Sequence, residues 1–424
     1  MLAGLGFGAV LAAVLLGESR GSLAAPGGLL IAAGRLAGFT GAYLMLILVL
    51  LIARLPWLER SVGQHRLVRW HRKVASWAIT LICAHVLLIT VGYAQAAQSG
   101  LLAEVWTLLR SYPDMLAAMA GFGLLVMASV ASYRHVRRRL KYETWWVVHL
   151  YLYLALALAF AHQIVTGVDF IGHPLVRALW IVIWAATAGL VLTFRIGQPV
   201  WRSLRYRLRV VEVRPEGPGV ISVICRGRQL DRLPVSGGQF FQWRFLAREL
   251  WWQAHPYSLS ALPRPPFLRI TIKGLPDSVA ARLRPGTPVA IEGPYGAFTP
   301  HAQSGRGVLL IGAGVGITPL RALLEDLPAG TDIVALLRAS RPPDLVHRDE
   351  VAALVEHRGG VLHEITGPRH RVRLDARSLQ RAVPDITGRD VYICGPEGFN
   401  IDMERAAVQL GVAPGQIHLE SFGF

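Results

Sequence analysis

The run WHRKVASWAITLICAH, residues 70–85, places two imidazoles, His71 and His85, fourteen positions apart in a largely apolar segment. A second run, WWVVHLYLYLALALAFAH at 145–162, repeats the device with His149 and His162, thirteen apart. At ~1.5 Å of helix rise per residue each pair spans ~20 Å. That is most of the ~30 Å hydrocarbon thickness of a bilayer. Polar side chains at such depth are costly and call for a reason. A solitary histidine there is ordinarily bonded to a backbone carbonyl. Four, paired at matched depths on two helices, suit iron held by two axial imidazoles, one from each face of a haem. His71 with His149 would then hold one haem, and His85 with His162 a second. Fourteen residues nearly complete whole turns, but thirteen fall well short. The second helix must therefore bend, unwind slightly or present its histidines to offset haems.

Working outward, six stretches are apolar and long enough to cross a bilayer, which takes about 20 residues. They lie near 2–17, 29–52, 71–95, 113–132, 144–166 and 174–195. The first also reads as a signal peptide, although no Lys or Arg precedes its apolar run. Arg54, Arg60, Arg66, Arg69, Arg72 and Lys73 lie between the second and third stretches or at the start of the third. Arg134, Arg137, Arg138, Arg139 and Lys141 separate the fourth and fifth, and Arg195, Arg202, Arg205, Arg207 and Arg209 attend the end of the last. Basic loops of this kind mark the cytoplasmic side. Both termini are then cytoplasmic in a plasma membrane, and loops 18–28, 96–112 and 167–173 face outward. The net charge of +17 is accounted for by contact with anionic lipid, without nucleic acid. Arg35, near the outer end of the second stretch, suits an outer haem propionate or an anionic acceptor or product. Snorkelling to the interface is the alternative. Three widely separated cysteines, Cys83, Cys225 and Cys394, provide no disulfide framework, zinc site or four-cysteine cluster.

Beyond residue 205 the composition becomes that of a soluble protein. Residues 206–300 read as short strands between Gly and Pro turns, which suits a small β-barrel. There HPYSLS carries His255, Pro256, Tyr257 and Ser258, and RITIKGLPDS carries Lys273 and Ser278. A flavin needs an apolar or aromatic face, hydroxyl donors at its edge and donors for its phosphates. Tyr257 and Ser258 suit ring and edge; His255, Lys273 and Ser278 suit phosphates. GVLLIGAGVGITPL, from 307, reads as buried strand, glycine loop and helix. Gly312, Gly314 and Gly316, followed by Thr318, let backbone approach a pyrophosphate at a helix N-terminus. The spacing is G-x-G-x-G rather than G-x-G-x-x-G. The next strand ends in Arg338, Ser340 and Arg341, where an arginine can grip the 2′-phosphate of NADPH. VYICGPEGF sets Cys394, Gly395 and Pro396 at a further strand end, where a nicotinamide would lie. The terminal ESFGF offers Phe422 or Phe424 to stack on a flavin and be displaced by nicotinamide.

Taken together, these motifs resemble two families. The soluble half, from HPYS through GAGVGITP and CGPEGF to the terminal aromatic, is similar to the ferredoxin–NADP reductase superfamily. The membrane half resembles the NADPH oxidase and ferric reductase superfamily in its two histidine-bearing helices. The resemblance implies FAD, two b-type haems and NADPH as co-substrate. It also implies Ser258 beside the reactive flavin edge, Cys394 beside the nicotinamide and Phe422 as the stacking ring, from the pattern Glu420–Ser421–Phe422. Expected domains are a six-helix transmembrane di-haem bundle over 1–197, a β-barrel flavin domain over 205–302 and an α/β nucleotide-binding domain over 303–424. The expected activity moves electrons from cytoplasmic NADPH to an outer acceptor. That acceptor is dioxygen, giving superoxide, or else a ferric chelate. A separate outward-facing protein or quinone is a third reading, though no protein partner is required by the motifs.

Overall fold

The computed structural model describes residues 8, 20–167, 170, 173–248, 250–274, 283–305, 307–368, 371–372 and 374–421. The first apolar stretch apart from Gly8, Ser278, Phe422 and Phe424 lie outside them. The chain forms two compact units, Met1–Leu55 with His65–Leu192, and Pro56–Gln64 with Thr193–Phe424.

The first unit is helical. Its main helices are α1 (Gly28–Ile52), α3 (Gln64–Ala96), α4 (Leu101–Ser111), α5 (Met115–Ser132), α6 (Tyr142–Thr166) and α7 (Pro174–Val191), while α2 (Pro56–Val62) belongs to the second unit. Among the described residues five helices are long and apolar enough to cross a membrane, matching the last five of the six expected stretches. The expected outer loop at 96–112 contains a helix, α4. It buries Glu104 and Leu108 and exposes Leu102 and Trp106. That amphipathic pattern is short, and an apolar-run count passes over it. The last span runs from α7 through a π-helical turn, Leu192–Gly197, into α8 (Gln198–Tyr206). The α6 segment is helical throughout, so its histidines are presented without an unwound turn.

Without a hydrophobic drive between helices in lipid, small residues let backbones approach. Three glycines of α1 do this against α3. A Cβ at Gly34, Gly38 or Gly41 would lie 2.9, 2.5 or 2.8 Å from Ile89, His85 or Ile82 respectively. On α5, a Cβ at Gly121 would lie 2.8 Å from the Ala155 carbonyl of α6.

The second unit has two sheets. Strands β1 (Leu208–Gly217), β2 (Val220–Arg226), β3 (Phe240–Phe245), β4 (His255–Ser258), β5 (Phe267–Lys273) and β6 (Pro288–Tyr295) form an antiparallel sheet in the order β4-β3-β6-β1-β2-β5. Its edges meet through one bridge, Leu259 to Ile270, rather than a continuous ladder. The expected barrel is therefore not closed by its ladders. Strands β7 (Gly307–Ala313), β8 (Asp332–Ala339), β9 (Val361–Thr366), β10 (Arg389–Gly395) and β11 (Ile417–Ser421) form a parallel sheet in the order β11-β10-β7-β8-β9. Helices α9 (Ile317–Asp326), α10 (Arg348–His357), α11 (Ala376–Ala382) and α12 (Glu397–Gln409) accompany it. Every residue of β7 and β10 is buried, as befits parallel strands covered on both faces. Asp390 tolerates that burial because Ser304, Gly305 and His418 satisfy its oxygens.

Candidate functional site

In the helical unit the four histidines fall into two sets. The ring centroids of His71 and His149 lie 6.3 Å apart. The His71 Nδ1 is 3.1 Å from the Leu48 carbonyl, and the His149 Nδ1 is 3.2 Å from Ser132 Oγ. Trp145 stacks on His149 and donates to the same Ser132 oxygen. An imidazole whose Nδ1–H donates to a neighbour leaves Nε2 as a ligand, and such outer partners are what orient ligating histidines. Metal–imidazole bonds of about 2 Å on both faces of one iron would set the ring centroids roughly 6 Å apart, so this pair fits a bis-histidine haem. The Nδ1 of His85 is 2.8 Å from the Gly34 carbonyl. His85 and His162 both line an apolar cavity, which Arg35, Tyr93 and Tyr112 also reach. Gly38, which sequence reasoning missed, makes the room for the His85 ring. A glycine every three or four residues on α1, facing a histidine helix, was the available signal.

In the second unit β4 carries His255, Pro256, Tyr257 and Ser258 antiparallel to β3. Residues two apart share a face, and the rings of His255 and Tyr257 stack with centroids 5.8 Å apart. Burial pushes the Tyr257 phenol up to about 12 and lowers His255. The Ser258 hydroxyl is buried and has no hydrogen-bond partner among the described residues. Thr318, in the first turn of α9, has an equally orphaned hydroxyl. Buried polar groups are ordinarily paired, so both fit donors awaiting a bound group.

The glycine loop has separate jobs for its members. Gly314 takes a left-handed φ of 56° and has open space where a Cβ would be, while a Cβ at Gly316 would lie 2.2 Å from the Cys394 carbonyl. Gly312 pairs with Cys394, and Cys394 with Glu420, across neighbouring strands. Cys394 is fully buried, and burial, then Glu420, pushes its thiol up. Burial also pushes the Glu420 carboxyl up to about 8.

A cavity of about 1120 Å³ opens beside this loop. Pockets for drug-sized ligands run to about 1,000 Å³, so there is room for a dinucleotide. Gly314, Ser340, Arg341, Pro396 and Lys273 all line it. Lys273, expected at flavin phosphates, lines this cavity as the last residue of β5. Arg338 lines the cavity too, with its guanidinium already engaged. It is buried and donates to the carbonyls of Ala339, Gly367 and Val372. Arg341 is exposed, and both ends of its fork engage Asp344 at 3.1 Å. Arg405 of α12, absent from the sequence reading, also lines the cavity and is exposed. Only the tertiary fold brings it there.

Residues 37–160 match the ferric reductase like transmembrane component, and residues 310–405 match the oxidoreductase NAD-binding domain. A NADPH oxidoreductase of Mycobacterium tuberculosis is 28% identical over 54% of this chain and 62% of its own length. A flavohemoprotein of Bordetella pertussis is 32% identical over 53% of this chain and 61% of its own. The chain thus spans about three-fifths of the curated relatives it matches. The flavohem-like FAD/NAD binding domain of nitric oxide dioxygenase from Vibrio cholerae is 24% identical, with a TM-score of 0.42, over 52% of this chain and 100% of that one. The chain thus carries a stretch similar to a ferric reductase like transmembrane component and, after it, a stretch similar to an oxidoreductase NAD-binding domain.

Proposed function

We propose that the protein is a transmembrane flavocytochrome b that passes electrons from cytoplasmic NADPH to an acceptor on the outer side of the plasma membrane. The observation that carries this reading is the pairing of four membrane histidines, with His71 and His149 at bis-imidazole separation. His71 with His149 would hold the inner haem, and His85 with His162 the outer one. Domain boundaries are taken as 1–197, 205–302 and 303–424.

When bound, FAD supplies the change from a two-electron hydride to single electrons, and haem supplies single-electron carriage. The remaining work is positional and electrostatic. Tyr257 and Ser258 offer a ring and a hydroxyl to the flavin. Gly314 opens backbone to the coenzyme pyrophosphate, and Lys273, Arg341 and Arg405 supply the positive charge that its phosphates need. Buried Cys394 and Glu420, in register on adjacent strands, keep the nicotinamide end free of charge, with Phe422 following Glu420 as the stacking ring. Dioxygen, giving superoxide, is taken as the acceptor. A ferric chelate is the second reading, supported by the ferric reductase-like match over 37–160.

Absorption spectra of the purified protein before and after NADPH test the core of this reading. Bis-histidine haem bands that reduce with NADPH are expected, and their absence would sink it. Superoxide formation without added iron is expected; iron-dependent turnover alone would favour the chelate.

A further inference from the structure

The reductase unit contains a polar relay that none of the cofactor contacts above requires. Glu350, in the first turn of α10, accepts both arms of the Arg269 fork at 2.7 Å each. Its Oε2 also accepts from Arg321 Nε at 2.8 Å. Arg321 reaches on to Glu325 at 2.5 Å, and Glu325 accepts from Arg264 and from the Leu262 backbone. Arg264, Leu262 and Arg269 belong to the antiparallel-sheet lobe. Arg321, Glu325 and Glu350 belong to the parallel-sheet lobe.

The relay grips one element from the far side. Arg321 and Glu325 sit on α9, the helix that follows directly from Gly314–Gly316 and carries Thr318 in its first turn. A third tie holds its C-terminal end, where the Gly237 N–H donates to Asp326 at 2.8 Å. Arg269 lies on β5, whose last residue is Lys273, on the wall of the coenzyme cavity. One set of bonds thus connects the strand leading to one wall of that cavity with the helix leading to another.

The side chains suit a mechanical role. Arg321 and Glu325 are only 5% and 12% exposed, and Arg269 is 16% exposed. Burial would raise the Glu350 carboxyl, yet Arg269, His347 and Arg321 hold it well below the usual carboxylate range. A bidentate arginine–carboxylate pair fixes orientation as well as distance. Glu350 itself is 37% exposed, and removing it would leave the largely buried Arg269 without its counter-charge.

We propose that the Arg321–Glu350–Arg269 relay is a positioning device that sets the coenzyme loop relative to the flavin-type sheet. Glu350 and Arg269 are then positioning residues for hydride transfer. This rests on the nicotinamide–flavin reading above and adds to it residues that reading gives no part.

The test uses the full-length, flavin-loaded protein with Glu350→Gln, and with Arg269→Lys as the milder change that keeps charge but loses the fork. Spin labels at Arg228→Cys and Glu356→Cys, in a Cys83→Ser background, report the distance between lobes. Flavin content should stay unchanged in both variants. In Glu350→Gln the distance distribution should broaden and single-turnover flavin reduction by NADPH should slow about tenfold to a hundredfold, the scale of an ångström of misplacement. Arg269→Lys should fall between. A normal rate with either distribution, or a slowed rate with a narrow one, overturns the proposal. If the wild-type flavin accepts nothing from NADPH or NADH, the oxidoreductase reading fails instead. The label distances still decide whether the relay holds the lobes.

Discussion

His71 and His149 face one another with ring centroids 6.3 Å apart and planes inclined by 65°. Each turns its Nδ1 toward a polar neighbour, Leu48 O for one and Ser132 Oγ for the other. With Nδ1 so engaged, Nε2 is the ring nitrogen that each histidine can offer to a metal. The arrangement also joins a helix that begins at Gln64 to another that begins at Tyr142.

Replacing a histidine of either set should remove one haem of two while leaving the flavin reducible. His85→Ala or His162→Ala should keep the inner haem reducible by NADPH and stop outward transfer. His71→Ala or His149→Ala should leave the outer haem unreduced. Haem-to-protein ratio and reduced-minus-oxidised spectra read both outcomes. Loss of flavin reduction in the His85 variant would show that the two jobs are not separate.

Gly38→Ala should behave like a weak His85 variant, because its Cβ would stand 2.5 Å from the His85 Nδ1. Overpacking of this kind costs about 1–3 kcal/mol, and here it is directed at a ring. Gly123→Ala is the control, since nothing lies within 4 Å of its Cβ. Haem content should drop in the first and not in the second. Equal haem in both would show that α1 yields easily.

The Glu420 carboxyl should make the second unit less stable in alkali. Burial raises it in the folded state to about 8, from an ordinary 4.5. Between those values the folded chain keeps a proton that the unfolded chain has lost. Stability from this group is therefore full below the lower value and declines as pH rises through the upper one, by about 1.4 kcal/mol per pH unit within the window. Denaturant titrations from pH 5 to 9 should show the decline in wild type and a flatter profile in Glu420→Gln. Parallel profiles would place the proton elsewhere.

Coenzyme preference should depend on Arg405 as well as Arg341. The Arg341–Asp344 pair is exposed, with Arg341 at 68%, and such pairs hold weakly. A phosphate can therefore recruit Arg341 away from Asp344. Arg405→Ala should raise KM for NADPH several-fold and leave that for NADH nearly unchanged, as steady-state kinetics with both coenzymes would show. Equal changes in both would place Arg405 on a phosphate common to the two.

The sequence by itself determined that this chain has an apolar, histidine-bearing half and a strand-and-turn half. It also determined that basic loops alternate with apolar runs. These are short-range properties: helix period, run length and local charge are complete within about 20 residues. The motifs HPYS, GAGVGITP and CGPEGF could be read the same way, because a glycine loop or strand end is built from neighbours in the chain. Tertiary structure alone decided which side chains meet. It set His71 against His149 across two helices and cleared space for His85 with Gly38. Arg338 was turned inward, and Lys273 and Arg405 were brought to one cavity. Glu350 was tied to Arg269, 81 residues away. Such meetings depend on how closely backbones pack and on which charges can be satisfied after burial. Neither quantity is written in a local window of residues.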